Sequence, residues 1–171
     1  MKPIEAGIQD LREKAGQHIR KETTFRDSMA FEIAPDGIVD TCRCLKEGPG
    51  KFDFLAALTA VDYFPDSPRF KLVYELMNSS QPDLLRLEVF LRESEELASI
   101  TEVYPNANWH EREVWDMFGI FFRNHPDLRR ILMPQDWVGH PLRKDYPLGY
   151  EEVQFSFNFD EINRRKRYSK E

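Results

Sequence analysis

The sequence predicts an α+β fold, a two-layer sandwich in which helices cover one face of a small, mainly antiparallel or mixed sheet. Three observations predict it: helical spacing of apolar residues in separate stretches, neighbouring runs that alternate apolar and polar residues, and an irregular C-terminal third rich in proline. Each kind of stretch leaves one apolar face, and the two kinds bury these faces against each other. At 171 residues the chain has the length of one domain.

Two helices are predicted near the N-terminus. Pro3 favours a helix start, because its missing N–H is unpaired there anyway, and apolar residues at helical spacing continue to about Arg20. A second, short helix follows Pro35-Asp36 and ends at Gly48-Pro49-Gly50.

A third helix is predicted from roughly Ala107 to Phe118. Asn106 is a candidate cap, and Gly119 suits the left-handed conformation that ends many helices. Ser99 and Glu102 also have the spacing of a capping box, which places a helix start there as well.

Alternating runs predict five strands. They are Thr23–Phe25, Met29–Ile33, Leu58–Tyr63, Arg69–Asn78 and Asp83–Arg92. The first two form a hairpin and the last two are the central strands, joined by a turn at residues 79–82. A helical turn is expected between Lys51 and the third strand, and Arg86 and Glu88 indicate that one sheet face is partly wet.

Composition indicates a soluble protein. The mean hydropathy is −0.60, and the longest apolar stretch, Phe54 to Val61, is far shorter than the ~18 residues that cross a bilayer. The N-terminus has no apolar signal region, so we expect a cytoplasmic protein.

The net charge of −6 is unevenly distributed. Residues 161–171 hold five basic and two acidic residues, a net charge of +3, which leaves −9 on the rest of the chain. Phosphate binding needs a basic surface, so the body is poorly suited to binding nucleic acid. The basic tail is interpreted as solvated, with an anionic membrane surface or an acidic neighbour as alternatives.

The two cysteines exclude several functions. Cys42 and Cys44 stand at C-x-C spacing in a predicted helix, where their side chains point to different faces and cannot bridge comfortably. An iron–sulfur cluster ordinarily needs four thiolates, and structural zinc needs three or four Cys or His ligands. We therefore expect structural cysteines.

Residues 109–148 concentrate charges, histidines and all three tryptophans. On the third helix, Glu113 and Asp116 lie at i,i+3, and such paired carboxylates can perform acid–base chemistry if burial raises one pKa. His110 extends this to a metal site only if His125 or His140 joins from a loop.

The other interpretation is an internal ionic network. The helix carboxylates would pair with the cations that follow, namely Arg129, Arg130, Arg143 and Lys144. The planar guanidinium of arginine binds a carboxylate through two hydrogen bonds, so the network would fix the geometry of the irregular segment rather than add much stability.

The same residues resemble a known family. The matching motifs are Glu111-Arg112-Glu113, Asp116 to Ile120, His125-Pro126, Arg129 to Leu132, Pro134 to Trp137, Pro141 to Leu148 and, upstream, Thr59 to Tyr63. From about Phe52 to Leu148 the chain resembles the 30-kDa subunit of respiratory complex I, the proton-pumping NADH:quinone oxidoreductase. After Leu148 it departs from many family members.

The resemblance implies a non-catalytic scaffold subunit of the peripheral arm, on the cytoplasmic side of the cell membrane. It implies no cofactor on this chain, because FMN, the iron–sulfur clusters and the NADH and quinone sites belong to other subunits. The implied partner is the 49-kDa-type subunit, which helps to form the quinone site. Related subunits also occur in ferredoxin-linked and hydrogenase-type complexes, so the electron donor stays open.

Residues 1–122 are thus predicted to form the α+β domain and residues 123–171 a partner-binding segment with a basic tail. The predicted interface residues are Glu111, Arg112, Glu113, Asp116, His125, Arg129, Arg130, Trp137, Arg143, Lys144 and Asp145. Rings and arginines would serve as anchors, although Trp109 and Trp115 on the helix also fit an ordinary core. A stand-alone metalloenzyme using His110, Glu113 and Asp116, or a binding module for a basic protein, are the alternatives from other classes.

One variant tests the scaffold prediction. We expect Arg130→Ala to leave the isolated chain folded while reducing assembly of the larger complex. Circular dichroism and co-purification measure the two effects, and an unfolded variant would instead make Arg130 a structural residue.

Overall fold

A computed structural model describes residues 3–26, 28–147, 160, 161 and 164. The helices are α1 (Pro3–Lys14), α2 (Ile38–Glu47) and α3 (Ala107–Phe118), with 3-10 turns at Gly16–His18 and Pro35–Gly37. The strands are β1 (Ile19–Phe25), β2 (Ser28–Ile33), β3 (Phe54–Asp62), β4 (Phe70–Asn78), β5 (Gln81–Leu91), β6 (Leu97–Ala98) and β7 (Phe122–Arg123). Most of the predicted basic tail lies outside the described residues.

The main sheet has five strands in the order β1-β2-β5-β4-β3. All neighbours pair antiparallel except β2 and β5, which are parallel because the chain passes through α2, β3 and β4 between them. A separate parallel pair, β6 and β7, brackets α3. The predicted α+β class with a mixed sheet is confirmed.

One hydrophobic core lies between the sheet and the helices. Alternate residues of the two central strands are buried: Phe70, Leu72, Tyr74 and Leu76 on β4, and Leu85, Leu87, Val89 and Leu91 on β5. The residues between them, which include Arg86 and Glu88, remain partly exposed. This period of two confirms that the other face of these strands is not fully covered.

Two predicted boundaries were wrong. Helix α1 ends at Lys14 rather than near Arg20, because the 3-10 turn at Gly16–His18 leads directly into β1. Strand β3 begins at Phe54 rather than Leu58, and the expected helical turn is extended chain with a register shift between Leu55 and Ala57. Pairing with β4 supplies the backbone hydrogen bonds that a helical turn would have made.

The capping box at Ser99 and Glu102 was also wrong. Residues 101–103 form a turn, and the Ser99 hydroxyl donates to Glu111 on α3 instead of capping a helix. Asn106 precedes α3 as predicted, but its side chain donates to the Leu55 carbonyl. Tertiary partners therefore replaced both local caps.

Helix α3 ends at the predicted residue. Gly119 adopts φ +78°, a left-handed conformation, and its N–H donates to the Trp115 carbonyl. A Cβ at this position would lie 2.6 Å from the His140 ring. Glycine thus allows both the turn and the close approach of the segment that follows.

Candidate subunit interface

Residues 124–147, here called the irregular segment, run over α3 and one end of the sheet without a helix or strand. The backbone of such a segment needs partners from elsewhere in the chain. Arg112, Asp116 and the cluster around Arg69 supply many of them.

Arg112 holds the segment through its main chain. Its Nε and Nη2 donate to the carbonyl oxygens of Arg129 and Arg130, at 3.1 and 3.2 Å, and the guanidinium stacks on the Trp109 ring at 5.2 Å. Within the described residues it has no carboxylate partner. Arg112 was predicted as an interface residue, but it is only 8% exposed, because its guanidinium binds carbonyl groups of its own chain.

Asp116 is the centre of the strongest attachment. One oxygen accepts from the Arg130 guanidinium, and the other accepts the N–H groups of Ile131, Leu132 and Met133 at 3.0, 2.9 and 2.9 Å. Three consecutive amides thus converge on one carboxylate oxygen, and the pairing with Arg130 confirms the predicted contact between a helix carboxylate and a later cation.

The electrostatics of this site favour the ionised carboxylate. Burial alone raises the pKa of Asp116, but the hydrogen bonds from Met133, Leu132, Ile131 and Arg130 outweigh it, so the pKa lies below its ordinary value. The carboxylate therefore stays charged at neutral pH and keeps its donors in place.

Arg130 connects two parts of the irregular segment. Its Nη2 also donates to the carbonyls of Trp137 and Gly139, both at 2.9 Å, and its guanidinium lies 5.7 Å from the centre of the Trp115 ring. His140 donates from Nδ1 to the Asp116 carbonyl at 2.9 Å, since only a ring N–H can bond a carbonyl oxygen. These contacts close the chain into a loop around the C-terminal end of α3.

A second cluster, which sequence reasoning missed, fixes the far end of the segment. Arg69 binds Asp62 through two hydrogen bonds of 2.9 and 3.0 Å. It also forms ion pairs with Asp145 at 2.6 Å and Glu93 at 2.8 Å. Arg143 adds contacts to Asp145 and Glu93. We call these five residues the Arg69 cluster.

The Arg69 cluster is buried at its centre. The side chains of Arg69 and Asp62 are 4% and 2% exposed. Burial raises the pKa of Asp62. The hydrogen bonds that Arg69 and the backbone N–H groups of Lys144 and Phe64 donate to it have the larger effect, and they lower the pKa to about 2. Hydrogen bonds from Arg69 and Arg143 hold the pKa of Asp145 far below its ordinary range. Both carboxylates are therefore anionic.

A sequence signal for this cluster existed. Leu58, Ala60 and Asp62 alternate on the buried face of β3, so the pattern places a carboxylate among core positions. Such a group needs a buried cation. The cation, Arg69, lies seven residues further along the chain, whereas Asp145, which also binds Arg69, is 76 residues from it and is brought close only by the fold.

The other predicted residues make weaker contacts. Glu113 is exposed, Arg129 pairs with Asp127 at 2.8 Å on the surface, and Lys144 contributes its backbone N–H rather than its ammonium group. Arg143 meets loop carboxylates instead of those on α3. The predicted pairing between a carboxylate of α3 and a later cation is therefore found for Asp116 and Arg130. The other three predicted cations, Arg129, Arg143 and Lys144, have other partners.

Glu111 was predicted to meet a cation, but its carboxylate accepts from the Ser99 hydroxyl at 2.6 Å and the Ile100 N–H at 2.8 Å. The His125 ring lies nearby, with Nε2 at 3.9 Å from the carboxylate. His125 itself faces the Asn108 carbonyl, at 3.2 Å.

Arg130 and Arg143 of the segment point inward to carboxylates, whereas four of its large apolar side chains point outward. Leu132, Trp137, Val138 and Leu142 are 60, 40, 83 and 55% exposed. We call these four residues the apolar patch. Large exposed apolar residues concentrated in one short segment are typical of a surface that binds a partner. Trp109, at 61% exposed, is not core as one alternative held, and Trp115 packs partly against the core.

The geometry gives little support to a metal site. Among the described residues, no group of three or more His, Cys, Asp and Glu side chains is arranged to hold a metal ion. Asp116 has its oxygens committed to four donors, and burial raises the pKa of the Cys42 thiol well above its ordinary value and that of Cys44 to about 11. Neither thiol is reactive in this form.

The fold is shared with a chain of known structure. The chain aligns over its full length, with a TM-score of 0.68 and 22% identity, with 97% of a chain from a structure entitled membrane-bound sulfane sulfur reductase (MBS), an archaeal respiratory membrane complex. At this identity the likeness concerns the fold. None of the described helices is long and apolar enough to span a membrane.

Sequence similarity then defines the family. Residues 31–152 match the family described as respiratory-chain NADH dehydrogenase, 30 kDa subunit, and the chain belongs to it. It is 45% identical over 166 residues to the C subunit of NADH-quinone oxidoreductase from Roseiflexus sp. (strain RS-1), covering 96% of this chain and 95% of the relative. The C subunit from Roseiflexus castenholzii is 48% identical over 86% of both chains. The one from Geobacter sulfurreducens is 45% identical over 81% of this chain and 86% of the relative.

Proposed function

We propose that this chain is a scaffold subunit in the peripheral arm of an NADH:quinone oxidoreductase and that it binds its partner through the apolar patch. The proposed partner is a 49-kDa-type subunit that helps to form the quinone site. The chain itself transfers no electrons, while FMN, the iron–sulfur clusters, NADH and quinone are bound by other subunits. Its attachment to the cytoplasmic side of the membrane is indirect, through the complex.

The observation that carries this proposal is the inverted polarity of the irregular segment. Asp116, Arg130 and the Arg69 cluster are satisfied within the chain, whereas the apolar patch faces solvent. A buried ionic network adds little net stability but fixes geometry. The network therefore serves to present a defined apolar surface, and such surfaces supply the anchors of protein interfaces.

This changes the role proposed for the arginines. Arg130 is 11% exposed and bonded to Asp116, so it acts by holding the segment in shape rather than by reaching into a partner. The anchors proposed here are Trp137 and the aliphatic residues on either side of it.

NADH is the electron donor favoured for the complex, because both Roseiflexus relatives are named as C subunits of an NADH-quinone oxidoreductase. A ferredoxin-linked or hydrogenase-type complex is the alternative within the same class. Identification of the subunits that co-purify with a tagged chain under mild detergent distinguishes them.

Leu142→Asp tests the proposed interface. The side chain is 55% exposed, so we expect the variant to fold with an unfolding free energy within about 0.5 kcal/mol of the original. A charge in the centre of a desolvated interface costs several-fold to hundredfold in affinity, so the tagged variant should recover much less of the partner subunits. Quantitative co-purification measures this loss.

Leu84→Asp is the matched control. Leu84 is 52% exposed, much like Leu142, but it lies on β5, on the sheet face that the helices do not cover and outside the apolar patch. It should recover the complex as well as the unmodified chain does. Equal recovery with Leu142→Asp and with Leu84→Asp would contradict the proposed binding surface.

A further inference from the structure

Glu111 occupies a core position of α3. Its side chain is 0% exposed, and Ala107 and Val114, which share its helix face, belong to the hydrophobic core. Charge in an apolar interior is costly unless a cation compensates it. Within the described residues, the basic group at ion-pair distance is the His125 ring, 3.9 Å away.

His125 does not supply a positive charge. The Asp127 N–H donates to its Nδ1 at 3.1 Å, so in the neutral ring the proton sits on Nε2 and points to the Asn108 carbonyl. Burial lowers the pKa of His125, and the nearby Arg112 lowers it further. An ionised Glu111 thus has no counter-ion near neutral pH among the residues that the structure describes.

The other groups that face Glu111 carry no positive charge either. Tyr74 on β4 and Cys42 on α2 are fully buried, and burial and the nearby carboxylate both raise their pKa values. The Tyr74 hydroxyl has no hydrogen-bond partner among the described residues. Burial and the absence of a positive charge among these groups therefore favour the neutral form of Glu111, against the hydrogen bonds from Ser99 and Ile100.

A chain of two hydroxyls leads from Glu111 towards the surface. Ser99 Oγ lies 2.6 Å from Glu111 Oε2, and Thr101 Oγ1 lies 2.8 Å from Ser99 Oγ. Thr101 is partly exposed, so the chain ends where water can reach it.

The hydrogen bonds between Glu111, Ser99 and Thr101 can run in either direction, and every group keeps a partner in both. With Glu111 ionised, Thr101 donates to Ser99 and Ser99 donates to the carboxylate. With Glu111 protonated, its O–H donates to Ser99 and Ser99 donates to Thr101. In both states Oε1 accepts the Ile100 N–H and Ser99 Oγ accepts the Thr101 N–H. The site is thus hydrogen-bonded with or without the proton.

We propose that Glu111 takes up and releases one proton through Ser99 and Thr101, and that this proton controls how firmly α3 holds the turn at residues 99–101. On release, the carboxyl O–H bond breaks as Ser99 takes that proton, Ser99 passes its own proton to Thr101, and Thr101 passes its own to water; uptake runs in reverse, so the net change is one proton between solvent and the Glu111 carboxyl group. The neutral form fits the apolar face of α3, and the ionised form places an uncompensated charge there.

The sign of the pH effect follows from burial. Burial raises the pKa of Glu111 to about 7 from an ordinary 4.5, against the hydrogen bonds from Ser99 and Ile100, which lower it. Between these values the unfolded chain has lost the proton that the folded chain keeps. The ratio of folded to unfolded protein therefore falls by up to about tenfold for each unit of rising pH, and levels off above about pH 7.

His125 acts in the opposite sense. The pKa of His125 in the folded chain lies below the ordinary 6.5. As the pH falls below 6.5, the unfolded chain binds a proton that the folded chain does not, and the fold loses stability. A difference between variants is therefore needed to isolate Glu111.

Glu111→Gln supplies that difference. Its amide offers an oxygen to the Ile100 N–H and an N–H to Ser99, as the protonated carboxyl does. Denaturation of the full-length chain from about pH 5 to about pH 7 should show the original losing roughly fortyfold in its folding constant relative to this variant. Glu113→Gln, exposed two residues further along α3, should follow the original. Parallel curves for the original and Glu111→Gln would overturn the proposal.

A second measurement does not depend on a variant. In the full-length chain labelled with carbon-13 at glutamate carboxyl groups, the assigned Glu111 resonance should titrate with a midpoint near pH 7. A midpoint near the ordinary 4.5 would refute proton exchange at neutral pH, whether or not Glu111→Gln folds.

Discussion

Asp116→Ala is expected to lower the unfolding free energy by about 3–5 kcal/mol, because it leaves a nearly buried guanidinium and three amides without their acceptor. The loss should also free the irregular segment from α3. Chemical denaturation measures the first effect, and faster proteolytic cleavage within residues 124–147 measures the second.

Glu113→Ala is the matched control, since Glu113 is an exposed carboxylate on the same helix and should change stability by less than about 0.5 kcal/mol. Arg130→Ala should be milder than Asp116→Ala, because the three N–H groups still bind the carboxylate. An Asp116→Ala chain as stable as the Glu113→Ala chain would show that this attachment contributes nothing.

Arg69→Ala should destabilise the chain by about 3–5 kcal/mol, because Asp62 is 2% exposed and would keep its charge without a cation. The same change removes the pairing of Arg69 with Asp145 and Glu93, so the end of the irregular segment loses one of its attachments. Arg69→Lys should recover only part of the loss, since an ammonium group cannot bind two carboxylates in the planar geometry of a guanidinium. Urea denaturation compares the three chains.

Arg86→Ala serves as the control for a surface pair. Arg86 is 48% exposed and bonded to Glu75, and pairs of this kind contribute about 0–1 kcal/mol. If Arg69→Ala cost no more than Arg86→Ala, Asp62 would not depend on this guanidinium.

The fold was predictable where the sequence repeats a period over many residues. The alternating residues of β4 and β5 indicated both strands correctly, because each strand must bury one face. Short-range signals were less reliable. Ser99 and Asn106 have the residue types of helix caps, yet their side chains bind Glu111 and the Leu55 carbonyl, which no local rule anticipates.

The sequence allowed us to predict that charged residues of α3 and the irregular segment pair, but not which residues pair with which. Asp116 and Arg130 are separated by 14 residues, and their pairing follows from a chain that returns over its own helix. Asp62 and Asp145 both bind Arg69, but Asp145 lies 76 residues from Arg69, so only the folded chain brings it to this site. The exposure of the apolar patch is compatible with these contacts, because Arg130 and Arg143 occupy the inner side of the segment.

Hydrogen exchange at the amides of Ile131, Leu132 and Met133 tests most directly whether the chain holds the irregular segment by itself. These N–H groups lie outside helices and strands and donate to Asp116 alone among the contacts described. In the full-length chain without partner subunits, we expect them to exchange far more slowly than exposed loop amides. Exchange at the rate of an unstructured peptide, with protection only inside the assembled complex, would contradict an internally fastened segment.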